Sequence, residues 1–103
     1  MSDPVNGTIR YDGNGNITCG VSGRLLHGQV TVGLGLPAFT VHAREGHFTF
    51  DRPDDLLGVF EGTVGPREIN LLPQRPFGGR IEGVLANGLG ARFPFVVNFL
   101  YWT

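Results

Sequence analysis

The chain has 103 residues, a net charge of −1 and a mean hydropathy of +0.03, which together predict a single folded globular domain over 1–103. The near-neutral charge excludes the basic surface that nucleic-acid binding needs. No apolar stretch approaches the length of about 20 residues that a membrane-spanning helix requires, so we expect neither nucleic acid nor a membrane as a partner.

Apolar and polar residues alternate with a period of two in the clearest segments, which favours strands over helices. Only 53–57 suggests a short helical turn, because Pro53 is followed by two acidic residues. An all-β protein is therefore expected. Its strands are predicted over 5–11, 16–22, 24–34, 38–44, 57–64, 67–72, 79–87 and 92–102, with 47–51 as an additional hairpin arm.

Two hairpins are predicted from turn chemistry and side-chain register. The turn-rich stretch 12–15, Asp-Gly-Asn-Gly, is expected to join the first two strands. A two-residue turn at 45–46 would place Val41 opposite Phe50, and it would bring every apolar residue of this second hairpin to one face. A register slip of one residue would destroy that separation, so the pattern specifies the register well.

Glycines recur when the chain is shifted by 55 residues, so that Gly7 matches Gly62 and Gly28 matches Gly83. This recurrence suggests two pseudo-repeats, over about 5–48 and about 57–103. Two four-strand halves predict a small closed or nearly closed eight-stranded antiparallel barrel, a size that holds side chains or one ligand. The alternative fold is a two-sheet β-sandwich with Greek-key connections.

A barrel of this size predicts non-enzymatic binding of a small ligand or a carbohydrate in its interior or mouth. An inward Glu82 beside Arg80 could contact a polar ligand, although the two could equally form a solvent-facing pair of charges. We expect no cofactor. The candidate ligand-binding residues are Phe39, Phe48, Phe50, Phe95, Arg80 and Glu82.

The last strand, 92–102, is apolar on both of its faces, with Asn98 as the single interruption. Such a strand is buried on both sides, or one side packs against another molecule. We therefore predict that the protein forms a homo-oligomer. An alternative function, a structural or protein-interaction module without a ligand, would use the same strand. The predicted interface residues are Phe99, Leu100, Tyr101 and Trp102.

An enzyme is the weaker alternative, since no residue is predicted to be catalytic. His42 and His47 would share the polar face of the second hairpin with Asp51, and two imidazoles beside a carboxylate could hold a metal or act as a base. A solvated hairpin face explains the same residues. Cys19 is the only cysteine and is expected to be buried. The N-terminus has no signal-peptide pattern, so we expect a cytoplasmic protein.

Overall fold

The computed structural model describes residues 4–41, 47–75 and 78–103, and in these segments it has nine strands, one 3₁₀ helix and no α-helix. Each predicted strand is present, including the additional arm, so the all-β prediction is confirmed. The strands are β1 (Gly7–Tyr11), β2 (Asn16–Val21), β3 (Arg24–Val32), β4 (Phe39–Val41), β5 (Phe48–Thr49), β6 (Gly58–Val64), β7 (Glu68–Pro73), β8 (Arg80–Val84) and β9 (Phe93–Trp102).

All nine strands belong to one antiparallel sheet, in the order β4-β1-β2-β3-β9-β6-β7-β8-β5. The alternative of two stacked sheets is therefore wrong. The sheet is curled like a barrel wall, and its two ends approach each other. Isolated bridges join Val5 to Phe48 and Val41 to Leu85. Beside the second bridge, the Ala86 N–H donates a hydrogen bond to the Thr40 carbonyl oxygen at 2.9 Å.

The first predicted hairpin is confirmed. β1 and β2 pair with Tyr11 opposite Ile17, and the turn between them is held by Asp12. The Asp12 Oδ1 atom accepts hydrogen bonds from the backbone N–H of Asn14 at 2.7 Å and of Asn16 at 3.0 Å. An aspartate that accepts backbone N–H groups two and four residues ahead is typical of a tight polar turn.

The second predicted hairpin is wrong in its pairing. Val41 lies opposite Ile9 of β1 instead of Phe50, and Phe48 of β5 lies opposite Ile81 of β8. The predicted turn at 45–46 falls outside the described residues. Alternation identifies the buried face of a strand whichever strand lies beside it, so the pattern cannot choose between a local partner and a distant one.

Inward-facing residues of every strand form a single core, and outward-facing residues alternate with them. On β7, for example, Ile69 and Leu71 are buried while Glu68, Asn70 and Leu72 are exposed. Residues of β1, β2, β6 and β9 supply half of the twelve largest fully buried side chains. The inner face of the curled sheet is therefore a packed hydrophobic core.

The 3₁₀ helix, Pro53–Leu56, lies at the predicted helical turn and contacts the end of the last strand. The Asp55 carboxylate accepts the backbone N–H groups of Asp51 and Arg52 at 3.1 and 3.0 Å, which fixes the start of the helix. The Trp102 Nε1–H donates to the Pro53 carbonyl oxygen at 3.0 Å. Leu56 is fully buried, so this short helix covers one end of the core.

Candidate functional site

Three of the aromatic side chains predicted to contact a ligand lie inside the core. Phe39, Phe48 and Phe95 are all buried, and Phe50 is half-buried against the same cluster. The ring centroids of Phe39 and Phe95 are 5.7 Å apart, and each lies within 6 Å of the Tyr11 ring. Rings at these distances pack against one another, so the aromatic residues fill the interior at this position.

The two charged residues of the predicted ligand site lie on the other face of the sheet. Arg80 and Glu82 both project outward from β8, and the Arg80 Nη2 atom lies 3.0 Å from the Glu82 Oε2 atom. Their side chains are 59% and 42% exposed, as expected for a solvent-facing pair. The structure does not bring this pair together with the buried aromatic rings.

The histidines occupy different surroundings. His47 is buried, with its Nδ1 atom 3.1 Å from the Gly7 carbonyl oxygen, whereas Asp51 is exposed. His42 lies outside the described residues. His27 is half-buried, and its Nε2 atom lies 2.7 Å from the Thr103 Oγ1 atom. Within the described segments, no three His, Cys, Asp or Glu side chains are grouped as a metal site would need.

A β-bulge redistributes the four predicted interface residues. On β9, Phe99 pairs with Gly28 and Tyr101 with His27, so Leu100 is the extra residue of the bulge. Phe99 points into the core and is 2% exposed, while Leu100 and Tyr101 are about half exposed on the outer face. The bulge therefore gives this strand a buried face and an apolar outer face.

Trp102, the remaining predicted interface residue, is half-buried and packs against the core cluster. The Arg24 guanidinium carbon lies 4.9 Å from the centre of its indole ring, within the range of a cation–π contact. Together with the hydrogen bond to Pro53, this contact fixes the ring at the end of the barrel wall. Trp102 thus stabilises the fold and borders the outer face.

Five exposed apolar side chains lie next to one another across β3, β9, β6 and β7, and we call them the outer apolar band. Leu25 pairs with Thr103 and is diagonal to Tyr101, while Val59 pairs with Asn98 and is diagonal to Leu100. Diagonal neighbours in a sheet are about 7–8 Å apart, close enough for large side chains to touch. Its members, each at least 36% exposed, are Leu25, Val59, Leu72, Leu100 and Tyr101.

A second surface feature, the outer groove, lies on β4, β1 and β2. In this part of the sheet Arg10 is paired with Thr40 on one side and with Thr18 on the other, so the three form a row across the outer face. Thr8, two residues before Arg10, shares that face. The depression has a volume of about 410 Å³, and Arg10 and Thr40 also border a neighbouring depression of about 380 Å³.

The sequence interpretation did not identify Arg10, Thr18 and Thr40 as a group. Alternation does assign Arg10 to the polar face of β1, but only the pairing of β4 with β1 brings Thr40 beside it. Thr18 and Thr40 are 22 positions apart in the chain, and no spacing motif connects them. Their proximity is a property of the sheet order.

The carboxylate of Asp12, in the neighbouring depression, is held in its ionised form. The backbone N–H of Asn14 lowers the pKa of Asp12 most, and the side chain and backbone of Asn16 lower it further. Burial has the opposite effect on Cys19 and raises the pKa of its thiol far above the usual range. Cys19 is a free, fully buried thiol and is inert as a nucleophile in the folded protein.

Comparisons with known protein families, characterised proteins and solved structures found no match for this chain. The fold itself defines the class of protein, an all-β protein with one curled antiparallel sheet. Among the described residues, no helix has the length and apolar character needed to cross a membrane.

Proposed function

We propose that this chain is a non-enzymatic binding module that associates with a second copy of itself through the outer apolar band. The observation that carries this proposal is the position of five large apolar side chains on adjacent strands, all exposed on the face opposite the core. An apolar patch on the outside of a folded domain costs free energy in water, and its burial against a partner recovers that cost.

The charges beside the band favour a second copy as the partner. Arg24 begins β3 just before Leu25, with its guanidinium group over the Trp102 ring. Glu61 lies on β6, where it pairs with Leu72 and accepts a hydrogen bond from Gln74. In a two-fold dimer whose axis crosses the centre of the band at right angles, each end of the band faces the opposite end of the partner's band. Arg24 of one copy would then face Glu61 of the other, so the surface is complementary to itself.

Tyr101 would be the central anchor of this interface. It is 52% exposed, and its ring is stacked on His27 with 4.7 Å between the ring centroids. This stacking holds the ring in one orientation before association, so little side-chain entropy is lost on binding. Tyrosine is one of the residue types that contribute most to interface energies.

The first test is the oligomeric state, measured by sedimentation equilibrium over a range of concentrations. We expect the wild type to dimerise and Val59→Glu to weaken dimerisation at least tenfold. Val84→Glu is the matched control, since Val84 is an exposed valine on β8, outside the band, at 44% exposure against 36% for Val59. A wild type that stays monomeric at high concentration, or equal weakening by both variants, would overturn the proposal.

A charge exchange tests the orientation of the two copies. Arg24→Glu and Glu61→Arg should each weaken the dimer, because each variant places like charges opposite one another. The double variant should restore dimerisation, since it recreates the two ion pairs with their signs exchanged. If the double variant is no stronger than either single variant, the two-fold arrangement is wrong.

Binding of a small ligand or a carbohydrate, which the sequence predicted in the interior or mouth of the barrel, is a second candidate function, and we propose it for the outer face. The outer groove favours it, because there a charged side chain and three hydroxyl groups line one depression. A cytoplasmic location is part of the same proposal. The free thiol of Cys19 supports it, since the cytoplasm keeps thiols reduced.

We also propose that the sheet closes into a barrel formed by two copies of one four-strand unit. In each half of the chain the fourth strand returns to the first, as β4 beside β1 and β9 beside β6. The shift of 55 residues moves Val41 onto β9 and Leu85 onto β3. The bridge between Val41 and Leu85 is therefore the counterpart of the pairing between β3 and β9. Slow hydrogen exchange of the Ala86 amide would support closure, and rapid exchange would contradict it.

A further inference from the structure

Arg10 is the one charged side chain among the described residues that line the outer groove. Arg10 is exposed at its centre, and in the described segments no side chain forms an ion pair or hydrogen bond with its guanidinium group. Among the residues that the structure describes, no acidic side chain lines the depression of about 410 Å³. A guanidinium group presents paired N–H donors whose spacing matches the two oxygens of a carboxylate. The groove is therefore suited to an anion.

The hydroxyl groups around Arg10 extend the recognition beyond a single charge. Thr18 and Thr40 lie directly beside Arg10 on the neighbouring strands, and Thr8 lies two residues before it. Each threonine hydroxyl can both donate and accept a hydrogen bond, which suits ligand hydroxyl groups. Gly20 adds no side chain to the groove, and a Cβ atom there would lie 2.9 Å from the Thr8 Oγ1 atom, so the Thr8 hydroxyl group lies over Gly20.

The charge of the ligand is limited by Asp12. This carboxylate lies in the neighbouring depression that shares Arg10, and its hydrogen bonds to Asn14 and Asn16 keep it in place. The single positive charge of Arg10 balances one carboxylate, whereas a doubly charged phosphate would keep an excess negative charge near the Asp12 carboxylate. A volume of about 410 Å³ also lies in the usual range for small-molecule sites.

We propose that the outer groove binds a polyhydroxylated monocarboxylate such as a sugar acid. Its carboxylate pairs with Arg10, and its hydroxyl groups exchange hydrogen bonds with Thr8, Thr18 and Thr40. This site is on β4, β1 and β2, whereas the outer apolar band is on β3, β9, β6 and β7. The two surfaces can therefore be tested separately.

The test uses the full chain and D-glucuronate as the probe, with binding followed by amide chemical shifts in NMR titrations. Glucose has the same ring without the carboxylate, and inorganic phosphate supplies an anion without hydroxyl-bearing carbons. We expect glucuronate to bind at least tenfold more tightly than either, with the largest shifts in β1, β2 and β4. No binding of glucuronate, or tighter binding of glucose or phosphate, would overturn the proposal.

Variants assign the interaction to named residues. Arg10→Gln should weaken glucuronate binding at least tenfold, and Thr18→Val should weaken it severalfold by removing one hydroxyl. Arg67→Gln is the control, because Arg67 is an exposed arginine in the turn before β7. Val59→Glu should bind glucuronate like the wild type, so loss of dimerisation and loss of the ligand are distinguishable. Equal affinity of the Arg10→Gln variant would overturn the assignment.

Discussion

At some positions the space around the backbone determines which residue type can be present. Gly62 of β6 is the clearest example, since a Cβ atom there would overlap the carbonyl oxygen of Asn70 on β7. At Gly33 the backbone has a φ of +116°, and a Cβ atom would lie 2.6 Å from the Phe95 ring. These glycines allow strands and loops to approach closely where the sheet curls.

Gly62→Ala should destabilise the protein by about 1–3 kcal/mol, because the added methyl group displaces the backbone of the neighbouring strand. The free energy of unfolding in urea is the measurement. Gly35→Ala is the matched control, since a Cβ atom there meets nothing within 4 Å, and its effect should stay within about 0.5 kcal/mol. Similar losses in both variants would contradict the steric explanation.

Asp12 predicts a pH dependence of stability. Its pKa is lowered from the ordinary value of 3.8, mainly by the N–H of Asn14, so the folded state binds the proton less readily than the unfolded state. The carboxylate therefore stabilises the fold above pH 3.8, and this stabilisation is lost as the pH falls through the lowered pKa.

Asp12→Asn should lose less stability than the wild type between about pH 5 and about pH 2, a range that spans the usual aspartate pKa. The amide oxygen still accepts hydrogen bonds, but the amide does not titrate. Asp12→Ala lacks both the charge and the acceptor, so it should also be less stable at neutral pH. Thermal unfolding at several pH values tests both variants. Parallel pH curves for Asp12→Asn and the wild type would contradict this role.

At the scale of elements, β9 organises the sheet. It has ten residues and is flanked by β3 on one side and β6 on the other, so it joins the two halves of the chain. Its bulge at Leu100 places Tyr101 outside and leaves Trp102 at the end of the core. The strict alternation assumed from the sequence places these last two residues on the opposite faces.

Hydrogen exchange should follow this arrangement. The amides of β9 between Phe95 and Phe99 are paired within the centre of the sheet and should exchange most slowly, whereas β5, with two residues, should exchange fastest among the strands. Native-state exchange measured by NMR gives the comparison. Exchange of β9 as fast as that of β5 would show that the two halves separate readily.

At the scale of the whole molecule, one core holds all the strands together. Buried residues of β1, β2, β6 and β9 meet on the inner face of the same curled sheet, and the Cα radius of gyration is 12.2 Å. Such a core is expected to unfold cooperatively. The fully buried Cys19 is a natural probe of that event.

Modification of Cys19 by a disulfide reagent should therefore require global unfolding. Its rate in increasing urea should follow the unfolding equilibrium measured by Trp102 fluorescence. Ser22→Cys, in the exposed turn between β2 and β3, adds a second thiol that should react at once in native buffer. Rapid labelling of Cys19 in the native wild type would indicate local opening of β2.

Local patterns in the sequence were sufficient to predict the strands, the Asp12 turn and the helical turn at 53–57. Alternation depends on which face of a strand meets water, and neighbouring residues alone carry that information. The tertiary structure decided the partners of β4 and β5, the bulge in β9, the outward position of Arg80 and the row of Arg10 with Thr18 and Thr40. These features depend on contacts between residues far apart in the chain, whose energies no local pattern contains.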